Sequence, residues 1–191
     1  MYAHYLYCIC RIRKDEIYMA DVNKDILKNM INLSLFDISF LSKPLVVGGL
    51  AMEYYSLRKC GEDIDLIISN EDYIILANKY PEFKIDTWGD LGIRFKNYEL
   101  LRSISRLDYD YYSNKAIEYE EYKVVSFDKL FFMTAAAVRS EPEVKKRVDD
   151  FGLALGYYYN KYRNQEYVAN AELHKTAYIN ALDGTIFSDK Y

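Results

Sequence analysis

Pro44-Leu45-Val46-Val47-Gly48-Gly49, then thirteen residues, then Asp63-Ile64-Asp65-Leu66-Ile67-Ile68 is the stretch on which the reading of this chain turns. An apolar run ends in a glycine pair, a short helical segment over residues 50–58 follows, and a second apolar run carries two carboxylates one residue apart. Strand side chains alternate faces, so Asp63 and Asp65 project from one side while Ile64, Leu66 and Ile68 take the other. Like charges held that close repel. Hard cations such as Mg²⁺ take oxygen ligands and bind through one or two carboxylates together with substrate phosphates. Gly48 and Gly49 allow a sharp turn and close approach of a ligand to the backbone. A helix opening after them would turn free N–H groups toward an anion such as a triphosphate.

Gly48-Gly49 and Asp63-Ile64-Asp65-Leu66, at that spacing, resemble the signature of the polymerase-beta-like nucleotidyltransferase superfamily. The chain is most similar to its small bacterial toxin-type branch, which includes the abortive-infection E toxins. The similarity runs from about Lys43 to about Leu155, and its specific part is the first two dozen residues. The resemblance implies a mixed α/β (α+β) sheet of the nucleotidyltransferase fold with a C-terminal helical cap. It implies an NTP substrate and two Mg²⁺ ions held by Asp63, Asp65 and a third carboxylate from a strand beside them. Candidates for that third acid are, in order, Asp108, Asp110 and Asp86. Gly48 and Gly49 would seat the phosphates, with Arg139 and Lys145 countering negative charge.

A second, looser similarity covers Leu130 to Asp150, where small nucleotidyltransferases carry an L-x-x-x-K-x-x-A-x-x-R run. Leu130, Ala137 and Arg139 fit it loosely, Arg139 one residue short of the run's arginine, and Thr134 stands where that run has lysine. Lys145, Lys146 or Arg139 are the available substitutes; Lys145 and Asp149 are also spaced for an ordinary i,i+4 ion pair. The implied reaction moves a nucleoside monophosphate to a hydroxyl, with an RNA (tRNA) 3′ end leading among acceptors and a toxin or defence role with a partner antitoxin. A protein or small-molecule hydroxyl is the alternative acceptor. A catalytically degenerate nucleotide- or partner-binding module is the alternative function.

Composition sets the bounds. The chain has 191 residues, 51% hydrophobic and 28% charged, which is globular composition. A formal charge of −4 gives no global basic field, so an RNA partner requires a local patch such as Lys145-Lys146-Arg147. Cys8, Cys10 and Cys60 lack zinc spacing and read as reduced thiols. No apolar run approaches the roughly 20 residues that cross a bilayer, and no signal peptide is visible; the expectation is a cytoplasmic protein without a membrane partner.

The remaining elements follow from periodicity and caps. Residues 21–41 read as a helix, with Ile26, Leu27, Met30, Ile31 and Leu35 on its apolar face. A helix over 71–79 is capped by Asn70 and ended by Pro81. Strands are expected at 83–88, 93–101, 103–112 and 115–125, and helices at 127–139, from Ser140 to about Tyr159, and at 164–182. The core is assigned to 1–125 and the helical region to 126–191.

Overall fold

A computed structural model describes residues 27, 29–87 and 89–162. The chain divides into two compact units, Met1–Ala154 and Leu155–Tyr191. The first carries the sheet and every candidate site residue. The expected arm at 1–19 and helix at 164–182 lie outside the described residues.

The sheet is mixed, with seven strands in the order β3-β4-β5-β2-β1-β9-β8. Its centre is built from the stretch quoted first. Strands β1 (Leu45–Val46) and β2 (Ile64–Ile67) pair antiparallel, Leu45 opposite Ile67 and Val46 opposite Leu66. Strand β5 (Tyr98–Leu101) runs parallel to β2 on its other side, with Asp65 opposite Glu99. Strand β9 (Lys123–Val124) runs parallel to β1. Strands β3 (Lys84–Thr87), β4 (Asp90–Phe95) and β8 (Ile117–Glu118) complete the sheet through antiparallel pairs. Leu45, Val46, Leu66, Ile67, Leu100 and Val124 are fully buried, so the middle four strands are the core.

Three expected strands are in fact hairpins. Residues 93–101 break at Lys96, which turns with φ +56°, giving β4 and β5. Residues 115–125 likewise fold into β8 and β9. The expected strand 103–112 is a small separate hairpin, β6 (Ser103–Ile104) and β7 (Leu107–Asp108), followed by helix α3 (Tyr109–Ser113). Its turn places Ser105 and Arg106 in succession at φ +52° and +62°. The Asp90 carboxylate holds it, accepting from Ser103 Oγ (2.7 Å) and from the N–H groups of Ser105 (2.7 Å) and Arg106 (2.9 Å).

Helix α1 (Gly48–Tyr54) starts two residues earlier than expected and stops four earlier, at Tyr55 and a left-handed Ser56. Its buried Leu50, Ala51, Met52 and Tyr54 lock it to the sheet. Helix α2 (Asn70–Lys79) is capped by Ser69, not Asn70: Ser69 Oγ accepts from Asp72 N and donates to Asp72 Oδ2 at 2.7 Å. Buried Asp72 then accepts from the N–H groups of Leu41 and Ser42. The helix expected to reach residue 41 ends before Asn32, whose side chain takes Ser34 N–H and Oγ–H and starts a single 3₁₀ turn at Leu33–Phe36.

Helices α4 (Phe127–Ser140) and α5 (Lys145–Tyr162) follow β9. Ser140 does not open α5. It is the last residue of α4, its hydroxyl bonded back to Ala136 O (3.0 Å), and Pro142, with no N–H, prevents α4 from continuing.

Glu53 on α1 is a buried carboxylate, 8% exposed, held by Lys59 Nζ (2.7 Å) and Cys60 N (2.8 Å). Hydrogen bonds from the Cys60 side chain, from Lys59 and from the Cys60 N–H hold its pKa down at about 2. A depressed carboxylate stabilises the fold fully above its unfolded value near 4.5, and that stability is lost as pH falls through about 2. Glu53→Gln is therefore expected to cost about 2 kcal/mol at pH 7, the scale of hydrogen bonds to a charged group. The gap to wild type should close in urea melts as pH drops toward 2; a gap constant with pH would refute the ionised assignment.

Candidate metal and nucleotide site

The glycine pair and the second aspartate meet. β1 ends at Val46, Val47 N–H donates to Asp65 O (3.1 Å), and the chain turns at Gly48 with φ +57°. A Cβ on Gly48 would stand 2.9 Å from Asp65 Cγ and closer still to Oδ2. Glycine is required here twice over, for the backbone angle and for the space. The Gly49 N–H donates to the Asp65 carboxylate.

Asp65 is half-buried on a face it shares with Glu99, its direct neighbour on β5. Burial, then the Glu99 charge, pushes the Asp65 pKa up; the Gly49 N–H opposes them, Asp63 adds a further push, and Lys146 pulls down. Asp63 itself is exposed just before β2. Glu99 is anchored by Arg94, its cross-strand partner, at 3.3 Å. The row across the sheet thus reads Arg94, Glu99, Asp65, and Gly48 at the start of α1 lies against the Asp65 carboxylate.

The third acid expected at Asp108 is not on a strand beside Asp65. Asp108 belongs to the separate β6–β7 hairpin and caps α3, accepting from Tyr111 N at 3.0 Å. Asp110 lies in the first turn of α3, and Asp86, on edge strand β3, accepts from Gly89 N. Glu99 is the carboxylate that occupies the neighbouring strand. Its signal was the Lys96-Asn97 turn: once β5 is separated from β4, Glu99 becomes the acid level with Asp65.

The cations also rearrange. Lys145 pairs with Asp149 and Arg147 with Glu141. Lys146, between them, forms no ion pair with a described residue. It lies one helical turn before Asp150, which receives two bonds from Arg58, from Nε at 2.5 Å and Nη2 at 2.8 Å. Arg58 in turn lies beside Gly49, 3.5 Å from where a Cβ would be. Arg58–Asp150 therefore fastens α5 to the glycine turn with Lys146 on the Asp65 side. Arg139 is exposed in the last turn of α4. The Thr134 hydroxyl donates to Phe131 O at 2.8 Å.

Among the described residues, no three Asp, Glu, His or Cys side chains stand close enough together to hold a metal ion. The donor set is nonetheless of the kind a hard cation takes: all oxygen, excess negative charge, and one member, Asp65, disfavoured as an anion by its surroundings. That disfavour has a consequence for stability. A carboxyl whose folded pKa is raised destabilises the fold above that pKa and has no effect below its unfolded value. In chelator at pH 7, Asp65→Asn, which still accepts from Gly49 N–H, is expected to melt a few degrees higher than wild type. The difference should vanish near pH 3. A lower melting point at pH 7 would show that the ionised carboxylate stabilises the turn.

Comparison with protein-family profiles, with curated proteins and with solved structures returned no match for this chain. No described helix is long and apolar enough to cross a membrane.

Proposed function

We propose that this protein is a metal-dependent nucleotidyltransferase in which Asp65, with Glu99 level beside it and Asp63 just before its strand, rather than Asp108, would hold Mg²⁺ together with the substrate phosphates. The observation that carries the reading is the seating of the Asp65 carboxylate against Gly48, with Glu99 in register beside it. An NTP would place its triphosphate along the glycine turn. The acceptor hydroxyl oxygen bonds to the α-phosphorus, the bond from that phosphorus to the β-phosphate oxygen breaks, and pyrophosphate leaves. The hydroxyl proton passes to the carboxylate group. Bound Mg²⁺ supplies charge neutralisation of the phosphates and acidification of the hydroxyl.

The chain's own residues have separable tasks. Gly48 leaves room for Asp65, and Gly49 N–H orients it. Glu99, fixed by Arg94, sets the charge beside it. Lys146, whose charge acts on Asp65, would supply the cation that Thr134 does not, and Arg58–Asp150 fastens its helix. Lys145 and Arg139 have the weaker claim, since Lys145 is paired with Asp149. The resemblance supports an RNA (tRNA) 3′ end as acceptor, with an antitoxin-like partner protein; a protein or small-molecule hydroxyl is the other acceptor class.

A binding module without turnover is favoured by Thr134, which stands at the lysine position and spends its hydroxyl on Phe131 O. Incubation with α-labelled NTPs, Mg²⁺, total RNA and cell lysate decides between the two. Transfer of label to an RNA band, lost in Asp63→Ala/Asp65→Ala, is the expected result. A rise in melting temperature with Mg²⁺ and a non-hydrolysable NTP, without label transfer, identifies the module.

A further inference from the structure

At the opposite end of β2 and β5 from Asp65 lies an open cleft of about 600 Å³. Its lining includes Asn70, Glu71, Arg102, Arg106, Asp108 and Asp110. Strands β2 and β5 run parallel and both end there, and crevices outside the carboxyl ends of such strands are habitual ligand sites. The volume lies in the range of small-molecule pockets. Four residue steps at ~3.3 Å each lead from Asp65 to Ser69, so the cleft begins about 13 Å from Asp65.

The charges in this cleft do not cancel one another. Neither Arg102 nor Arg106 forms an ion pair with a described residue, although three carboxylates line the same space. Each arginine is positioned by other means, Arg102 at its guanidinium and Arg106 at its backbone. Arg102 lies over the Tyr73 ring, 5.7 Å from its centroid. Arg106 projects from a left-handed turn that Asp90 clamps by three hydrogen bonds. Strained backbone over-determined by its surroundings is a feature of ligand sites. On the acidic side, Asp108 is spent partly on capping α3, which leaves Glu71 and Asp110 free of ion pairs with described residues.

We propose that this cleft is a second binding site for a small zwitterion, its phosphate or carboxylate between Arg102 and Arg106 and its ammonium toward Glu71 and Asp110. An oxyanion alone would gain the two guanidiniums and the N-terminal end of α2 but meet three carboxylates. A cation alone would meet the reverse. A ligand with both signs satisfies both halves, and an extended polyanion such as RNA fits poorly for the same reason.

Calorimetric titration of the full chain tests this with O-phosphoethanolamine as the phosphate zwitterion and γ-aminobutyrate as the carboxylate one. Inorganic phosphate and ethanolamine serve as single-charge controls. At least one zwitterion is expected to bind tenfold or more tighter than either control, and which one does names the anionic group. Arg102→Gln/Arg106→Gln, checked for an unchanged melting profile, should lose at least tenfold. Glu71→Gln/Asp110→Asn should abolish the preference over inorganic phosphate. Asp63→Asn/Asp65→Asn should bind as wild type, which keeps this site distinct from the transferase proposal. Binding of phosphate as tight as the zwitterions, no zwitterion binding at millimolar concentration, or unchanged binding in the double arginine variant overturns it.

Discussion

Gly48→Ala is expected to reduce the proposed nucleotidyl transfer by at least 100-fold, while Gly49→Ala leaves it within a fewfold of wild type. At Gly48 the added methyl meets the Asp65 carboxylate, and the φ of +57° itself disfavours any L side chain by roughly 1–2 kcal/mol. The carboxylate must swing away or the turn must open. Either displaces a reacting group by about an ångström, a shift that costs about 10²-fold. At Gly49 an added methyl stands 3.5 Å from the flexible end of Arg58, an ordinary contact. Alanine there also gains helix propensity of about 1 kcal/mol. The two adjacent glycines should therefore behave oppositely in a label-transfer assay run beside a thermal melt. Equal activity of the two variants would remove the Gly48–Asp65 contact from any account of the site.

The second large effect separates Glu99 from Asp108. Glu99→Gln keeps an acceptor for Arg94 and changes little in volume, yet removes the charge level with Asp65. Transfer is expected to fall at least 100-fold. Asp108→Asn retains a good N-cap for α3 and should stay within about threefold of wild type. The pH dependence supplies an independent readout. Burial raises the Asp65 pKa first and the Glu99 charge second, so Asp65 sheds its proton at lower pH in Glu99→Gln. Mg²⁺ binding, followed by the melting shift it causes, weakens as pH falls through the Asp65 pKa. That limb should move to lower pH in Glu99→Gln and stay in place in Asp108→Asn. A silent Glu99→Gln with a dead Asp108→Asn would restore the sequence-based assignment.

The parts of the site visible in the sequence are those with one dominant local cause. An apolar run ending in Gly-Gly has few conformations open to it, and alternation fixes the side that Asp65 takes, whereas Asp63 falls just before β2, where alternation does not reach. Glu99 was hidden because its position depends on where a strand is cut in two. The cut falls at Lys96, a residue with no preference for the left-handed region it adopts, so residues 93–101 read as one β-rich run. The same holds at Ser105-Arg106, where the price of two left-handed residues is met by Asp90, fifteen residues back in sequence. Ser140 misled in the other direction. Glu143 stands three residues after it, the spacing of a capping box that opens a helix, but α4 had already claimed the serine. Lys146 could be told from Lys145 and Arg147 only through the partners that tertiary structure gives its neighbours.

The glycine turn is secured by chain made much later. β1 needs β9 as its parallel neighbour, and Arg58 needs Asp150, 92 residues downstream. Contacts of such separation close late, and a chain emerging from the ribosome N-terminus first cannot make them until that downstream segment is out. Nascent or prematurely terminated chains ending before about residue 150 would carry Asp63, Asp65 and Glu99 with no fastened turn to hold them. Synthesis itself would then act as a timer, leaving the glycine turn unfastened until Asp150 has emerged.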